Sequence, residues 1–141
     1  MANQYKALKE KHQQEINDFP MFFAFNQQQF VEGMAKLGLK PEDTDKIYKL
    51  GHTGGFYRKT DAMDLIELFN RHAQEEKDAI AADTTGDGYI FQMFNYELAN
   101  HEYGYTRDPE PTLDAVGLTM EEIEANPALL HGWKKALRKQ R

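Results

Sequence analysis

Four side chains stand out for what they can do: His72 with Glu76, and Glu97 with His101. Each is an acid–imidazole pair four residues apart, which on a helix is one turn and one face. The second pair lies in "YIFQMFNYELANH", whose apolar residues Tyr89, Phe91, Met93, Phe94, Tyr96 and Leu98 surround the helix axis. A helix apolar on all sides is a buried one. On a wheel, Glu97 and His101 fall within about 20° of Ile90 and about 40° from Phe94. Burying either group alone costs several kcal/mol, so the two are expected to satisfy one another. If helices 61–77 and 89–102 pack antiparallel, His72, Glu76, Glu97 and His101 form a cluster able to bind a divalent metal or move a proton. The spacing is E-x-x-x-H, which departs from the E-x-x-H of di-metal bundles and the H-E-x-x-H of zinc proteases. The leading expectation is therefore a structural hydrogen-bond network, with no residue assigned to catalysis.

Other stretches invite a sharper reading and resist it. In "DTTGDGYIFQMF", Asp83, Thr85, Asp87 and Gly88 occupy places one, three, five and six of a calcium loop. Place twelve, which needs a bidentate acid, holds Phe94, so a turn before a helix is expected instead. "GHTGG" lacks the Lys-Ser/Thr that a phosphate loop requires. The C-terminal "HGWKKALRKQR" offers Trp133, Lys134, Lys135, Arg138 and Lys139 as a nucleic-acid candidate. Docking of Trp133 and Leu137 on a core, with the cations at the helix C-terminus, is the favoured alternative.

The elements that must position these groups follow from periodicity. Residues 3–17 read as a polar helix. "MFFAF" (21–25) reads as a short strand, and Asn26 as the cap of "QQQFVEGMAKLG". Two β-prone runs flank the glycine turn at 51–55 and predict a hairpin. Ala62, Leu65, Ile66, Phe69 and Ala73 make the clearest amphipathic stripe. "YGYTRDPEP" is expected as a loop, followed by a short helix ending at Gly117. Thr119 and Glu122 form a capping box, and Asn126 with Pro127 opens the last helix. The expected fold class is α+β: one mostly helical domain, 1–141, with a small antiparallel β-hairpin. It divides into an N-terminal helix (1–18), a core (19–118) and C-terminal helices with a basic tail (119–141).

The 141 residues are 40% hydrophobic and 12% aromatic, enough for a packed core. No stretch approaches the roughly 20 apolar residues of a membrane span. Cysteine is absent, which removes disulfides, thiol chemistry and cysteine-ligated metal. A soluble cytoplasmic protein is expected. The net charge is −6, and with five cations gathered in the last eleven residues the remainder is more acidic still. An acidic body disfavours phosphate backbones and favours basic partners.

Three stretches, "FFAFNQQQFVEGMAKLGL", "GGFYRKTDAMDLIELFNRH" and "YELANHEYGYTRDPEPTLDAVGL", resemble a family of small uncharacterised phage and prophage proteins. The resemblance spans roughly residues 20–118 and is most specific in "ELANHEY" and "TLDAVGL". It implies a bacterial host cytoplasm and a role in phage–host conflict, and carries no catalytic residue with it. The expected function is thus an acidic accessory protein that binds a host protein and inhibits, for example, a defence system. The alternatives are a metal-binding or hydrolytic enzyme built on the Glu/His cluster, and nucleic-acid binding through the basic tail. No cofactor is called for.

Overall fold

The computed structural model describes residues 3–141. Their order is α1 (Gln4–Asp18), β1 (Met21–Phe23), α2 (Gln27–Lys36), β2 (Ile47–Leu50), β3 (Gly55–Arg58), α3 (Ala62–Ala82), α4 (Tyr89–Asn100), α5 (Tyr103–Thr106), α6 (Glu110–Val116), α7 (Met120–Ala125) and α8 (Pro127–Lys139). The fold is α+β and mostly helical, as the periodicity predicts. The chain packs as two compact units: residues 12–73, and residues up to 11 together with 74–141.

In the first unit the expected hairpin gains a third strand. β3 lies between β1 and β2 and pairs antiparallel with both, Phe22 opposite Phe56 and Tyr48 opposite Tyr57. Phe22, Met34 and Leu37 form its core, with Phe30 and Phe56 set ring to ring around Phe22. Asn26 caps α2 by accepting from the Gln29 amide. The α3 stripe is only partly covered. Leu65 and His72 face inward, whereas Ile66 and Phe69 from the same apolar arc are exposed.

In the second unit α4 is the central element, as its all-round apolarity requires. Ile90, Phe94 and Leu98 are fully buried, joined by Ile123 of α7 and by Trp133 and Ala136 of α8. Trp133 meets Phe94 edge to face at 5.0 Å. The capping box of Thr119 and Glu122 is formed, and Asn126 accepts from the amides of Ala128 and Leu129. "YGYT" makes one helical turn, α5, where a loop was expected. The flanking Glu102 and Arg107 take left-handed backbone at φ 58° and 60°.

The start of α4 is held by an acid outside it. The Asp83 carboxylate accepts from the amides of Gly86 (2.9 Å), Gly88 (3.1 Å) and Ile90 (3.0 Å). Its oxygens are therefore turned onto the chain's own first helical turn, where the dipole favours a negative charge. Burial pushes the Asp83 pKa up, but the bonds from Ile90, Gly86, Gly88 and Thr85 outweigh it and hold the group below the ordinary carboxylate range. A depressed folded-state pKa contributes stability above the unfolded value, and that stability is lost as the pH falls through the folded value. Asp83→Asn is expected to cost about 1–3 kcal/mol at neutral pH. The penalty should shrink as the pH falls from about 4, the ordinary carboxylate value, through the lower folded-state value of Asp83, where the wild-type protein loses the same charge. Denaturant melts of both proteins across pH 2–7 check this (roughly the carboxylate range). Parallel curves would contradict it.

Candidate functional site

Glu97 is buried, at 1% exposure, on the face of α4 where its neighbours are apolar. Its carboxylate is satisfied, but not by His101. The Tyr5 hydroxyl donates to Oε2 at 3.1 Å, and the Lys9 ammonium lies 3.4 Å from the same oxygen and 3.5 Å from the other. Lys9 also sits over the rings of Tyr5 and Tyr96. His101 is the C-cap of α4 and is half-buried. The expected acid–imidazole pair thus gives way to an acid–phenol–ammonium cluster supplied by α1. Burial first, then the charge and hydrogen bond of Glu97, push the Tyr5 pKa up, so the phenol keeps its proton and donates it. The Thr112 hydroxyl donates to the Glu97 main-chain carbonyl and ties α6 to the same turn.

Glu76 lies beside Tyr5 and Tyr89 at a cavity of about 40 Å³, also lined by Ile80, Met93 and Val116. Burial and the Glu76 charge raise the Tyr89 pKa.

His72, the fourth expected member, belongs to a different constellation within residues 12–73. Its ring stacks on that of His12 at 3.8 Å between centroids and 13° between planes. Its Nε2 is 3.5 Å from Oε1 of Glu15. Glu15 in turn pairs with the Arg71 guanidinium through both carboxylate oxygens. Both histidines are buried, at 7% and 6% exposure, and Glu15 is half-buried. His12 and Glu15 are i, i+3 on α1, so they share a face. Sequence reasoning passed over both because α1 reads as a polar helix. The H-x-x-E spacing was the one local signal.

The remaining candidates find bland partners. Trp133 is in the core, and Lys135 binds Asp87 at 3.1 Å and lies over the Phe91 ring. Asp87 also pairs with His131 at 2.7 Å. These two contacts take up one oxygen of a carboxylate that a calcium loop would need. Arg138 and Lys139 stand in the last turn of the same helix, where they complement its C-terminal dipole, and Lys134 lies earlier on it.

One surface feature was not anticipated. Met63, Ile66 and Phe69 on α3 are exposed at 68%, 51% and 36%, and Asp64 and Glu67 stand exposed among them. Apolar side chains repeating at three-residue spacing on one helix make a continuous stripe.

The chain belongs to a family of unknown function, DUF7659, whose pattern matches residues 4–139. No curated protein and no solved structure matches it.

Proposed function

We propose that this member of the family is a cytoplasmic accessory protein of a phage or prophage that acts by binding a host protein, such as a component of a defence system. The observation that carries the reading is the exposed stripe of Met63, Ile66 and Phe69 on α3. Contiguous apolar surface rimmed by polar groups is characteristic of protein contact sites. Asp64 and Glu67 give the rim a negative charge, in keeping with the acidic balance of the chain. The partner of this chemistry is an apolar patch flanked by lysine or arginine, and charge complementarity of that kind speeds encounter and rejects acidic competitors. Among the described residues no helix is long and apolar enough to cross a membrane.

The test is capture from host lysate by the intact chain, followed by binding to the purified partner. A stoichiometric partner should be recovered by the wild-type chain. Ile66→Lys with Phe69→Glu should weaken it by about 30-fold or more, the loss of one hot-spot contact. Both positions are exposed, so the melting temperature should hold. Recovery of no stoichiometric partner, or of one that binds the double variant equally well, would remove the proposal.

A further inference from the structure

From the convergence of His12, Glu15 and His72 we infer a binding site for one divalent transition-metal ion, of the zinc or iron(II) class. Each residue offers one ligand atom, and the three atoms lie within 4.8 Å of one another. A salt bridge to Glu15 requires a single cationic partner, and Arg71 already provides it. Beside that bridge stand two buried imidazoles, stacked on one another, with His72 Nε2 3.5 Å from the Glu15 carboxylate. They are what a metal of intermediate softness selects.

The donor set decides the class. Two imidazole nitrogens and one carboxylate oxygen suit zinc, iron(II), cobalt or nickel, whereas calcium and magnesium prefer oxygen throughout. Three protein ligands with a fourth position left for water is the arrangement of an accessible zinc site rather than a closed structural one. Ligand atoms on one tetrahedral zinc stand about 3.4 Å apart at bond lengths of about 2.0–2.1 Å. The three side chains therefore close by no more than about 1.4 Å, a displacement within the reach of small side-chain rotations. Arg71 orients the acid. It donates to both oxygens, Nη2 to Oε2 and Nη1 to Oε1 at 3.3 Å, and Oε1 is the oxygen that His72 Nε2 approaches. A ligating carboxylate that also accepts hydrogen bonds from an outer partner is a recurrent feature of metal sites.

The site also explains why a mostly polar helix buries a histidine. His12 is the buried residue of α1, and its ring lies against that of His72. To share an ion the two rings must turn out of this near-parallel stack, because the imidazole lone pairs lie in the ring planes. This inference stands apart from the α3 stripe, since the His72 ring is buried and the stripe is exposed.

Isothermal titration of the intact chain, stripped with chelator, against Zn²⁺ tests it, with Co²⁺ as a second, spectroscopic probe. One equivalent of Zn²⁺ should bind, with a rise in melting temperature on loading. Co²⁺ should give visible d–d absorption of a nitrogen- and oxygen-ligated ion. His72→Gln and Glu15→Gln should each weaken binding by at least about tenfold, a conservative bound given that outer-shell losses alone reach 10–100-fold. The exposed-pair variant His131→Gln should bind as wild type. Failure of the wild-type chain to hold any Zn²⁺ at micromolar concentration would overturn the assignment whatever the variants do. So would a Zn²⁺ affinity unchanged in both His72→Gln and Glu15→Gln, since the ion would then sit elsewhere.

Discussion

Tyr5→Phe combined with Lys9→Met is expected to destabilise the unit formed by residues up to 11 and 74–141 by about 3–5 kcal/mol, the usual consequence of leaving a buried charge without its partners. Glu97 is nearly inaccessible, and its carboxylate receives the Tyr5 hydroxyl and the Lys9 ammonium. Lys9 is half exposed, so solvent screening limits its share, and the phenol is the better-buried donor. Either single substitution should cost less than half of the double one, because the remaining donor still serves the acid. Whole-domain stabilities are about 5–15 kcal/mol, so the double variant should show a visibly lowered denaturation midpoint. The asymmetry between removing partners and removing everything gives the sharper check. Adding Glu97→Leu to the double variant should restore much of the loss, since an apolar group of similar volume needs no partner. A double variant that loses less than about 1 kcal/mol would mean that the carboxylate draws its compensation elsewhere.

The same cluster shows what a sequence can and cannot say. That Glu97 is buried follows from Phe94, Leu98 and Ile90 around it on one short helix. That a buried acid needs a partner follows from desolvation. Which partner it has does not follow. His101 is the neighbour at helical spacing, whereas Tyr5 and Lys9 lie 92 and 88 residues away and reach Glu97 only through the packing of α1. His12 and His72 are in the same position. Each has an acid at helical spacing on its own helix, Glu15 for His12 and Glu76 for His72, and only the contact of α1 with α3, with Glu15 reaching Arg71, brings the two rings together. Caps were legible because they are local: Asn26, Thr119 with Glu122, and Asn126 with Pro127 all formed as their spacing requires. β1 was legible as a strand, but its pairing with β3 is long-range and was not. The α3 stripe marked an apolar arc correctly without saying how much of that arc its own unit would cover. Leu65 was covered and Ile66 was not, and that uncovered remainder is what supports the binding proposal.

Gly86→Ala is expected to cost about 3 kcal/mol or more, combining left-handed backbone strain with overpacking. Gly86 adopts φ +86°, where a Cβ atom is disfavoured by about 1–2 kcal/mol. A Cβ there would also stand 2.1 Å from the carbonyl oxygen of Ala128, on the first turn of α8. That obstacle is helix backbone and cannot rotate aside, so the turn or α8 itself must move. Gly117 supplies the control. It too is left-handed, at φ +69°, but nothing lies within 4 Å of its Cβ position. Gly117→Ala should therefore show the strain alone, about 1–2 kcal/mol. The difference between the two losses measures how closely α8 is pressed onto the turn that Asp83 organises. Chemical denaturation of the two variants side by side gives it directly. If their losses are equal, α8 yields without cost and the tight 83–90 turn does not fix its position. If Gly86→Ala is the costlier by 1–3 kcal/mol, as overpacking predicts, the turn holds both the start of α4 and the first turn of α8 in register.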